Sequence, residues 1–152
     1  MAFKFKLERL KDLRERYEEM SRIELGKKIE ERLEIEKEIV SLNKKIDAFS
    51  LEFKNEIKKS VSVSKLTNMI DYKKQLNSLL SNLAMKLNQK IQEEEIARNN
   101  YLNAKKEKDV LQKLQDRRFE SYKTDEKRKD IKELDEIAQI NYFTKGGENR
   151  DE

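Results

Sequence analysis

The stretch Lys59-Ser-Val-Ser-Val-Ser64-Lys65 separates two long helical patterns in this chain. Serine side chains compete for helix backbone groups and favour caps and turns, and valine is a weak helix former. The chain has no proline, and the stretch of alternating serine and valine is its strongest helix-breaking signal before the glycines near the C-terminus. We therefore predict a hairpin turn over about residues 60–64, with Ser62 or Ser64 capping the second helix.

The first helix is predicted over about residues 3–59. The steps between apolar residues alternate three and four, as in the a/d positions of a coiled coil, at Leu10, Leu13, Tyr17 and Met20. This phase is lost around Gly26, and it resumes at Ile39, Leu42, Ile46, Phe49 and Phe53. We interpret the change of phase as a local change in supercoil winding. Gly26 is interpreted as a tolerated helix glycine, with a hinge or a close-packing point as the alternatives.

The second helix is predicted over about residues 65–143. Its rhythm is clean at Leu66, Met69, Lys73, Leu76, Leu80, Leu83 and Leu87. The rhythm drifts through Ile91 and Tyr101 and returns at Leu111 and Leu114. Gly146 and Gly147 are expected to stop the helix, and residues 144–152 are expected to form a disordered tail. Together the patterns predict an all-α fold, one long antiparallel two-helix coiled-coil hairpin spanning residues 1–143.

The composition suits a seam between helices more than a compact core. Charged residues make up 43% of the 152 residues and hydrophobic residues 36%, and that balance is typical of coiled coils. No run has the length or apolarity of a signal peptide or a membrane span, so we expect a soluble intracellular protein without direct membrane insertion. The 35 basic residues are interleaved with 31 acidic ones, whereas a nucleic-acid binder segregates its basic residues. We therefore do not expect nucleic acid as a partner.

The chain lacks residue types on which many catalytic sites depend. Histidine and cysteine are both absent, which excludes catalytic triads, thiol catalysis and the usual zinc ligand sets. With three glycines, the chain cannot build a glycine-rich phosphate loop. We predict a protein that is not an enzyme and that needs no cofactor or metal.

The end of the second helix outruns its predicted partner. Antiparallel pairing around Ser62 places Phe3 beside Ser121, and at 1.5 Å per residue the paired part is about 80 Å long. About twenty residues beyond Tyr122 then lack an intramolecular partner and extend about 30 Å as a single helix. This overhang carries an apolar stripe at Ile131, Leu134, Ile137, Ala138 and Tyr142. We predict that it binds a partner, the alternatives being that the first residues fold back over it or that it frays.

A second candidate surface lies on the first half of the second helix. Ile70, Tyr72 and Leu79 flank the predicted seam and Met85 lies well off it, so this stretch has more apolar surface than a two-helix seam needs. The alternative is a thick seam filled by Phe49 and Phe53 from the first helix.

Three stretches carry a resemblance to a known family. They are Phe3-Lys-Phe-Lys-Leu-Glu-Arg-Leu-Lys-Asp-Leu-Arg14, Leu111-Gln-Lys-Leu-Gln-Asp-Arg-Arg118 with Tyr122, and Lys132-Glu-Leu-Asp-Glu-Ile-Ala138. In these motifs, and in their order over nearly the whole chain, the protein resembles the FliJ family of flagellar type III export proteins.

The resemblance implies a non-enzymatic stalk and chaperone-handling component of the flagellar export apparatus. It implies docking in the hexameric ring of the export ATPase and contact with the membrane-embedded export gate and with export chaperones. It also implies a cytoplasmic protein, peripheral at the inner face of the cell membrane, and we expect a monomeric rod. The resemblance and the overhang assign ring contact to Arg117, Arg118, Tyr122, Ile131, Leu134, Asp135, Ile137, Ala138 and Tyr142. Gate or chaperone contact is assigned to Ile70, Tyr72, Leu79 and Met85.

Two other functions remain open at this point. The same seams suit the equivalent stalk of a virulence type III injectisome, or a generic structural coiled coil that dimerises through them. The lysine-glutamate-leucine ending at residues 132–138 favours the flagellar system.

Overall fold

The computed structural model describes residues 2–148 and contains two α-helices, α1 (Glu8–Ile57) and α2 (Val63–Glu148). The two helices pack against each other, and no strand occurs within the described range. The predicted all-α helical hairpin is therefore confirmed. Neither helix, as far as the chain is described, has a stretch long and apolar enough to cross a membrane.

The start of α1 lies later than the predicted start near Phe3. Phe3 and Phe5 belong to a non-helical segment, and the backbone N–H of Glu8 donates to the carbonyl of Phe5 over 3.2 Å. The side chain of Phe5 is buried, so this segment is held by packing before the helix begins. Glu8 in the first turn places a negative charge at the positive end of the helix dipole.

The connection between the helices is short and capped by Ser62. It covers residues 58–62, a little earlier than predicted. The Ser62 hydroxyl accepts a hydrogen bond from the backbone N–H of Lys65 at 3.3 Å, which satisfies one of the free N–H groups of the first turn. The Nζ of Lys65 pairs with Glu56 at 3.1 Å and ties the two sides of the turn together. The predicted capping role of Ser62 is confirmed.

The far end of α2 passes through both C-terminal glycines. Gly146 and Gly147 lie within the helix, and neither has the positive φ of a helix-ending glycine. A helical glycine costs about 1 kcal/mol relative to alanine, and that cost does not by itself end a helix. Residues 144–148 are thus helical where a tail was expected, while residues 149–152 lie outside the described part of the chain.

The fold consists of two compact units. The hairpin unit is Arg16–Lys105, and the terminal unit joins Met1–Glu15 to Lys106–Glu152. Each unit contains a segment of both helices, so each has its own part of the helix seam.

In the hairpin unit, the seam next to the turn is apolar as predicted. Leu42 on α1 and Leu76 on α2 are buried. Half-buried side chains continue the three-four steps on α1 at Ile39, Ile46, Phe49 and Phe53, and on α2 at Leu66, Met69, Leu80, Leu83 and Leu87. These residues form the coiled-coil seam that the sequence pattern indicated.

Farther from the turn, the seam of the hairpin unit turns polar without changing its phase. The half-buried positions of α1 keep the same steps at Glu18, Ser21, Leu25, Lys28, Arg32 and Ile35. By contrast, the apolar residues predicted for the first part of the seam are exposed, namely Tyr17 and Met20 in this unit and Leu10 and Leu13 in the terminal unit. The predicted change of phase around Gly26 is therefore wrong. The seam keeps one phase through this region because polar residues occupy several of its facing positions, and the apolar stripe lies outside the seam.

Ion pairs between the helices make this polar seam possible. Lys28 Nζ lies 3.3 Å from Glu93, and Lys90 Nζ lies 3.1 Å from Glu31. These four residues, which we call the ion tetrad, are also linked by Lys28–Glu31 and Lys90–Glu93 contacts of 3.6 and 3.4 Å. The aliphatic parts of the lysines can cover the seam while their charges are paired at its edge.

Beside the tetrad, the carboxylate of Glu94 is the buried acidic group of the hairpin unit. It accepts hydrogen bonds from Arg32 on the other helix and from Arg98 on its own helix, the latter at 3.0 Å. The bond to Glu94, followed by that to Glu36, raises the pKa of Arg32. A buried carboxylate with two guanidinium partners fixes the register of the helices here, because a shifted register would leave the charge unpaired.

Candidate functional site

In the terminal unit, aromatic packing fixes the N-terminal segment on α2. The ring of Phe3 lies 5.3 Å from that of Phe119 and 5.5 Å from that of Tyr122. The guanidinium of Arg118 stands 5.7 Å from the centre of the buried Phe5 ring, within cation–π range. These contacts end at Tyr122.

Beyond this packing, α2 continues without cover. Every residue from 127 to 147 is exposed, and we call this segment the C-terminal overhang. It is helical throughout, and no other described part of the chain buries it. The structure thus shows neither the fold-back of the first residues nor the fraying that the sequence left open.

The overhang presents the predicted apolar stripe to solvent. Ile131, Leu134 and Ala138 follow one another at steps of three and four and therefore share a face of the helix. Ile131 is 59% exposed and Leu134 is 65% exposed. Tyr142, four residues after Ala138, continues this face, Ile137 lies on its flank beside Leu134, and both are exposed. The face is a pre-formed ridge of the kind that packs into a groove or against other helices.

The apolar stripe predicted from the sequence does not include two exposed apolar residues of the overhang. Ile140 and Phe143 are both well exposed, and Phe143, nine residues after Leu134, lies on the opposite side of the helix. Its ring contacts that of Tyr142 at a centroid distance of 6.1 Å. The run Ile140-Asn-Tyr-Phe143 held this signal, since three of its four side chains are apolar and no single helix face can hold them all. The tip of the overhang is consequently apolar on more than one side.

Charge on the overhang is divided along its length. Basic residues dominate its first part, at Lys127, Arg128, Lys129 and Lys132, and acidic residues follow at Glu133, Asp135 and Glu136. All of these side chains are exposed. A partner that matches the stripe can therefore also match a basic segment followed by an acidic one, which fixes the direction of docking.

The remaining residues assigned to ring contact lie in two different environments. Arg118 and Tyr122 are engaged with the N-terminal segment, whereas Arg117 and Asp135 are exposed. The structure therefore brings together Ile131, Leu134, Ile137, Ala138 and Tyr142 with Asp135 beside them, and it places Arg118 and Tyr122 in a separate aromatic cluster.

The residues assigned to gate or chaperone contact do not form one patch. Tyr72 packs its ring edge-on against Phe49 at 4.9 Å, which favours the thick-seam interpretation for this residue. Leu79, seven residues later, shares its side of α2 and is exposed. Met85 lies nine residues after the buried Leu76 and so points away from the seam. Ile70 is exposed on the flank opposite Leu79.

Among the described residues, no cluster of acidic side chains is arranged to hold a metal ion. The groups whose pKa values are shifted are those of the ion tetrad and Arg32, which already serve one another as partners. What these surfaces offer chemically is recognition of another macromolecule by helix packing.

Comparison with known protein families finds a match. The model of the family described as "Flagellar FliJ protein" matches residues 3–147, which is nearly the whole chain. No curated protein and no solved structure matched the chain.

Proposed function

The chain belongs to the flagellar FliJ protein family, and from this membership and the exposed overhang we propose that it is a non-enzymatic coupling component of the flagellar type III export apparatus. Family membership implies a role related to flagellar export. The finer proposal is that the overhang docks in the ring of the export ATPase. The family's flagellar description favours this system over the virulence injectisome and over a generic structural coiled coil.

The observation that carries the proposal is an ordered helix with nothing on its apolar face. Full burial of a leucine or isoleucine side chain is worth about 1.5–3 kcal/mol relative to leaving it exposed. Ile131, Leu134 and Ile137 each retain more than half of their exposure, so a partner that covers them gains roughly 1 kcal/mol or more from each. The apolar tip adds Ile140 and Phe143 on other sides, which suits enclosure by several subunits better than contact with one flat surface.

An effect on the ATPase follows from such docking without any chemistry in this chain. A helix that binds the assembled ring better than free subunits shifts the equilibrium toward the assembled ring. The size of that shift equals the difference in binding free energy between the two states. The chain therefore acts as an assembly factor as well as a connector.

The second proposed surface is the exposed flank of α2 around Leu79, for contact with the export gate or with export chaperones. The apolar area that this surface exposes is reduced, because part of the Tyr72 ring packs against Phe49. Ile70 and Met85 face other directions and are proposed as contacts only for partners that wrap around α2.

The experiment is a pull-down of the export ATPase hexamer with the Leu134→Asp/Ile137→Asp variant. Two buried carboxylates without partners would cost several kcal/mol, so binding should fall at least about 100-fold. Both side chains are exposed in the free chain, so helicity by circular dichroism should be unchanged. With the gate protein as bait, the same variant should bind as the wild type does.

The matched control is Val40→Asp, an equally apolar-to-acidic change at a side chain that is 54% exposed on α1 of the hairpin unit. It should bind the ATPase normally. If the overhang variant binds the ATPase as tightly as this control does, the overhang is not the docking element.

A further inference from the structure

The connection between the helices carries most of the net charge of this chain. Residues 53–70, which we call the lysine turn, contain one acidic residue, Glu56. Their basic residues are Lys54, Lys58, Lys59 and Lys65. Four lysines against one glutamate give this stretch +3 of the formal net charge of +4, so basic and acidic residues nearly balance in the rest of the chain. The positive excess is therefore concentrated at one end of the hairpin unit.

The lysines of this turn are exposed, and their charge is largely uncompensated. Glu56 is half-buried and pairs with Lys65 at 3.1 Å. Within the described part of the chain, no acidic side chain forms an ion pair with Lys54, Lys58 or Lys59. Helix stability does not require this arrangement, since Lys65 lies in the first turn of α2, where the helix dipole disfavours a positive charge.

Exposed apolar side chains lie among these lysines. Val63 is 80% exposed, and no other large apolar side chain in the described residues is more exposed. Ile57, the last residue of α1, is also more than half exposed. The seam next to the turn is formed instead by half-buried side chains such as Phe53 and Leu66. The lysine turn thus combines a positive charge with apolar side chains that the fold leaves uncovered.

We propose that the lysine turn binds the surface of an anionic lipid bilayer. The negative potential of such a surface attracts lysines, and the attraction extends over about 10 Å at 0.1 M salt. Val63 and Ile57 then enter the boundary between headgroups and acyl chains, where apolar side chains leave water. The contact is made at the surface, in keeping with the absence of a membrane-spanning stretch from the described helices.

The type of basic residue favours a lipid surface over an acidic protein surface. All four basic residues of the turn are lysines, which act as point charges, whereas the planar guanidinium of arginine suits the paired oxygens of one carboxylate. The chain uses arginine at its buried carboxylate, since Arg32 and Arg98 both bind Glu94. Lipid phosphates have no fixed positions, so binding them requires charge and no particular geometry.

The test is sedimentation of the full chain with phospholipid vesicles at low salt. Vesicles of phosphatidylcholine with about 30% phosphatidylglycerol should bind the chain, and pure phosphatidylcholine vesicles should not. Binding should weaken as the salt concentration rises, because salt screens the attraction. Lys58→Glu/Lys59→Glu should weaken binding to the anionic vesicles at least about 10-fold.

The matched control is Lys44→Glu/Lys45→Glu, the same change at two adjacent exposed lysines of α1. These lysines lie about 20 Å from the turn at 1.5 Å per residue, farther than the screening length at 0.1 M salt. The control should therefore bind the anionic vesicles within about twofold of the wild type.

A second measurement reports on the apolar part of the contact. The chain has no tryptophan, so Val63→Trp supplies a single fluorescent reporter in the turn. Its emission should move to shorter wavelength when anionic vesicles are added, because the ring leaves water. Val40→Trp, at a side chain that is 54% exposed outside the turn, should show no such change.

The proposal is overturned if the wild type does not bind the anionic vesicles at low salt, or if the two lysine variants bind them equally well. An unshifted emission from vesicle-bound Val63→Trp would also contradict it. Binding of soluble polyglutamate without binding of vesicles would overturn it as well, and would identify an acidic protein surface as the partner. No ATPase is present in these measurements, so their outcome is independent of docking by the overhang.

Discussion

Gly26 lies in the interior of α1 with open space where a side chain would stand. A Cβ built at this position meets no atom within 4 Å, and the backbone φ is not positive. The close-packing interpretation of Gly26 is therefore excluded. Glycine in a helix interior is less stable than alanine because the unfolded chain gains more freedom.

Gly26→Ala is expected to stabilise the protein by about 0.5–1 kcal/mol. The measurement is urea unfolding followed by helix circular dichroism, with the same urea dependence in both proteins. A loss of stability would mean that the position needs the conformational freedom of glycine, as a hinge would. The ATPase pull-down of this variant should equal that of the wild type, whereas a functional hinge would reduce it.

Single residues also explain which parts of the seam could be predicted. Near the turn, Leu42 and Leu76 are both apolar and buried, so the pattern of hydrophobic residues marks the facing positions. Farther away, the facing positions hold residues such as Ser21, Lys28 and Arg32, which no hydrophobic pattern selects. The roles of Lys28 and Arg32 depend on acidic partners about sixty residues away in the chain, and one sequence does not reveal such pairing. Tyr17 and Met20 were predicted to lie in the seam because their spacing is that of seam positions, yet both are exposed.

At the scale of secondary structure, the ion tetrad joins α1 to α2 and has a definite dependence on pH. Hydrogen bonds from Lys90 and Lys28 lower the pKa values of Glu31 and Glu93, respectively, below their ordinary 4.5. Bonds to Glu93 and Glu31 raise the pKa values of Lys28 and Lys90 above their ordinary 10.5. The carboxylates contribute stability above the unfolded value of 4.5, and the lysines contribute it below 10.5. The contribution is lost as pH falls through the lowered carboxylate pKa values or rises through the raised lysine values.

Glu93→Gln is accordingly expected to lower the thermal midpoint between about pH 5 and pH 10, where both partners of the wild type are charged. The difference from the wild type should shrink below pH 4 and again above pH 11, because the wild type then loses one charge of the pair. The measurement is thermal unfolding by circular dichroism across this range. Glu19→Gln is the control, since Glu19 makes only a 3.9 Å contact with Arg22 on the same helix. A constant difference at all pH values would contradict the role of the tetrad.

The end of α2 shows the limit of prediction at the level of the helix. The uncovered stripe at Ile131 and Leu134 was predictable, because it follows from counting residues back from the turn. The end of the helix was not predictable, because two consecutive glycines ordinarily end a helix. The neighbouring helix turns carry Gly146 and Gly147 without a change of φ sign. The apolar tip at Ile140 and Phe143 was not predicted, because these side chains lie on the opposite side of the helix from Ile131 and Leu134 and do not follow the spacing of the stripe.

At the scale of the whole molecule, the two compact units differ in the apolar side chains that they expose. In the hairpin unit, the exposed side chains of Tyr17, Met20 and Ile96 lie beside the charged groups of Glu24, Lys28 and Glu93, and Lys28 pairs with both carboxylates. The overhang belongs to the terminal unit and is charged along its length, which suits a different protein.

Residues 127–147 form a helix that is bare in the free chain, and we propose that the export ATPase ring covers it. Amide hydrogen exchange, followed by mass spectrometry with and without the ATPase hexamer, tests it directly. In the free chain, peptides from this segment should exchange much faster than those around Leu42 and Leu76. On addition of the hexamer, the same segment should slow by at least about 10-fold, with little change around Val40. Unchanged exchange of residues 127–147 in the complex, or slow exchange of this segment in the free chain, would contradict the account.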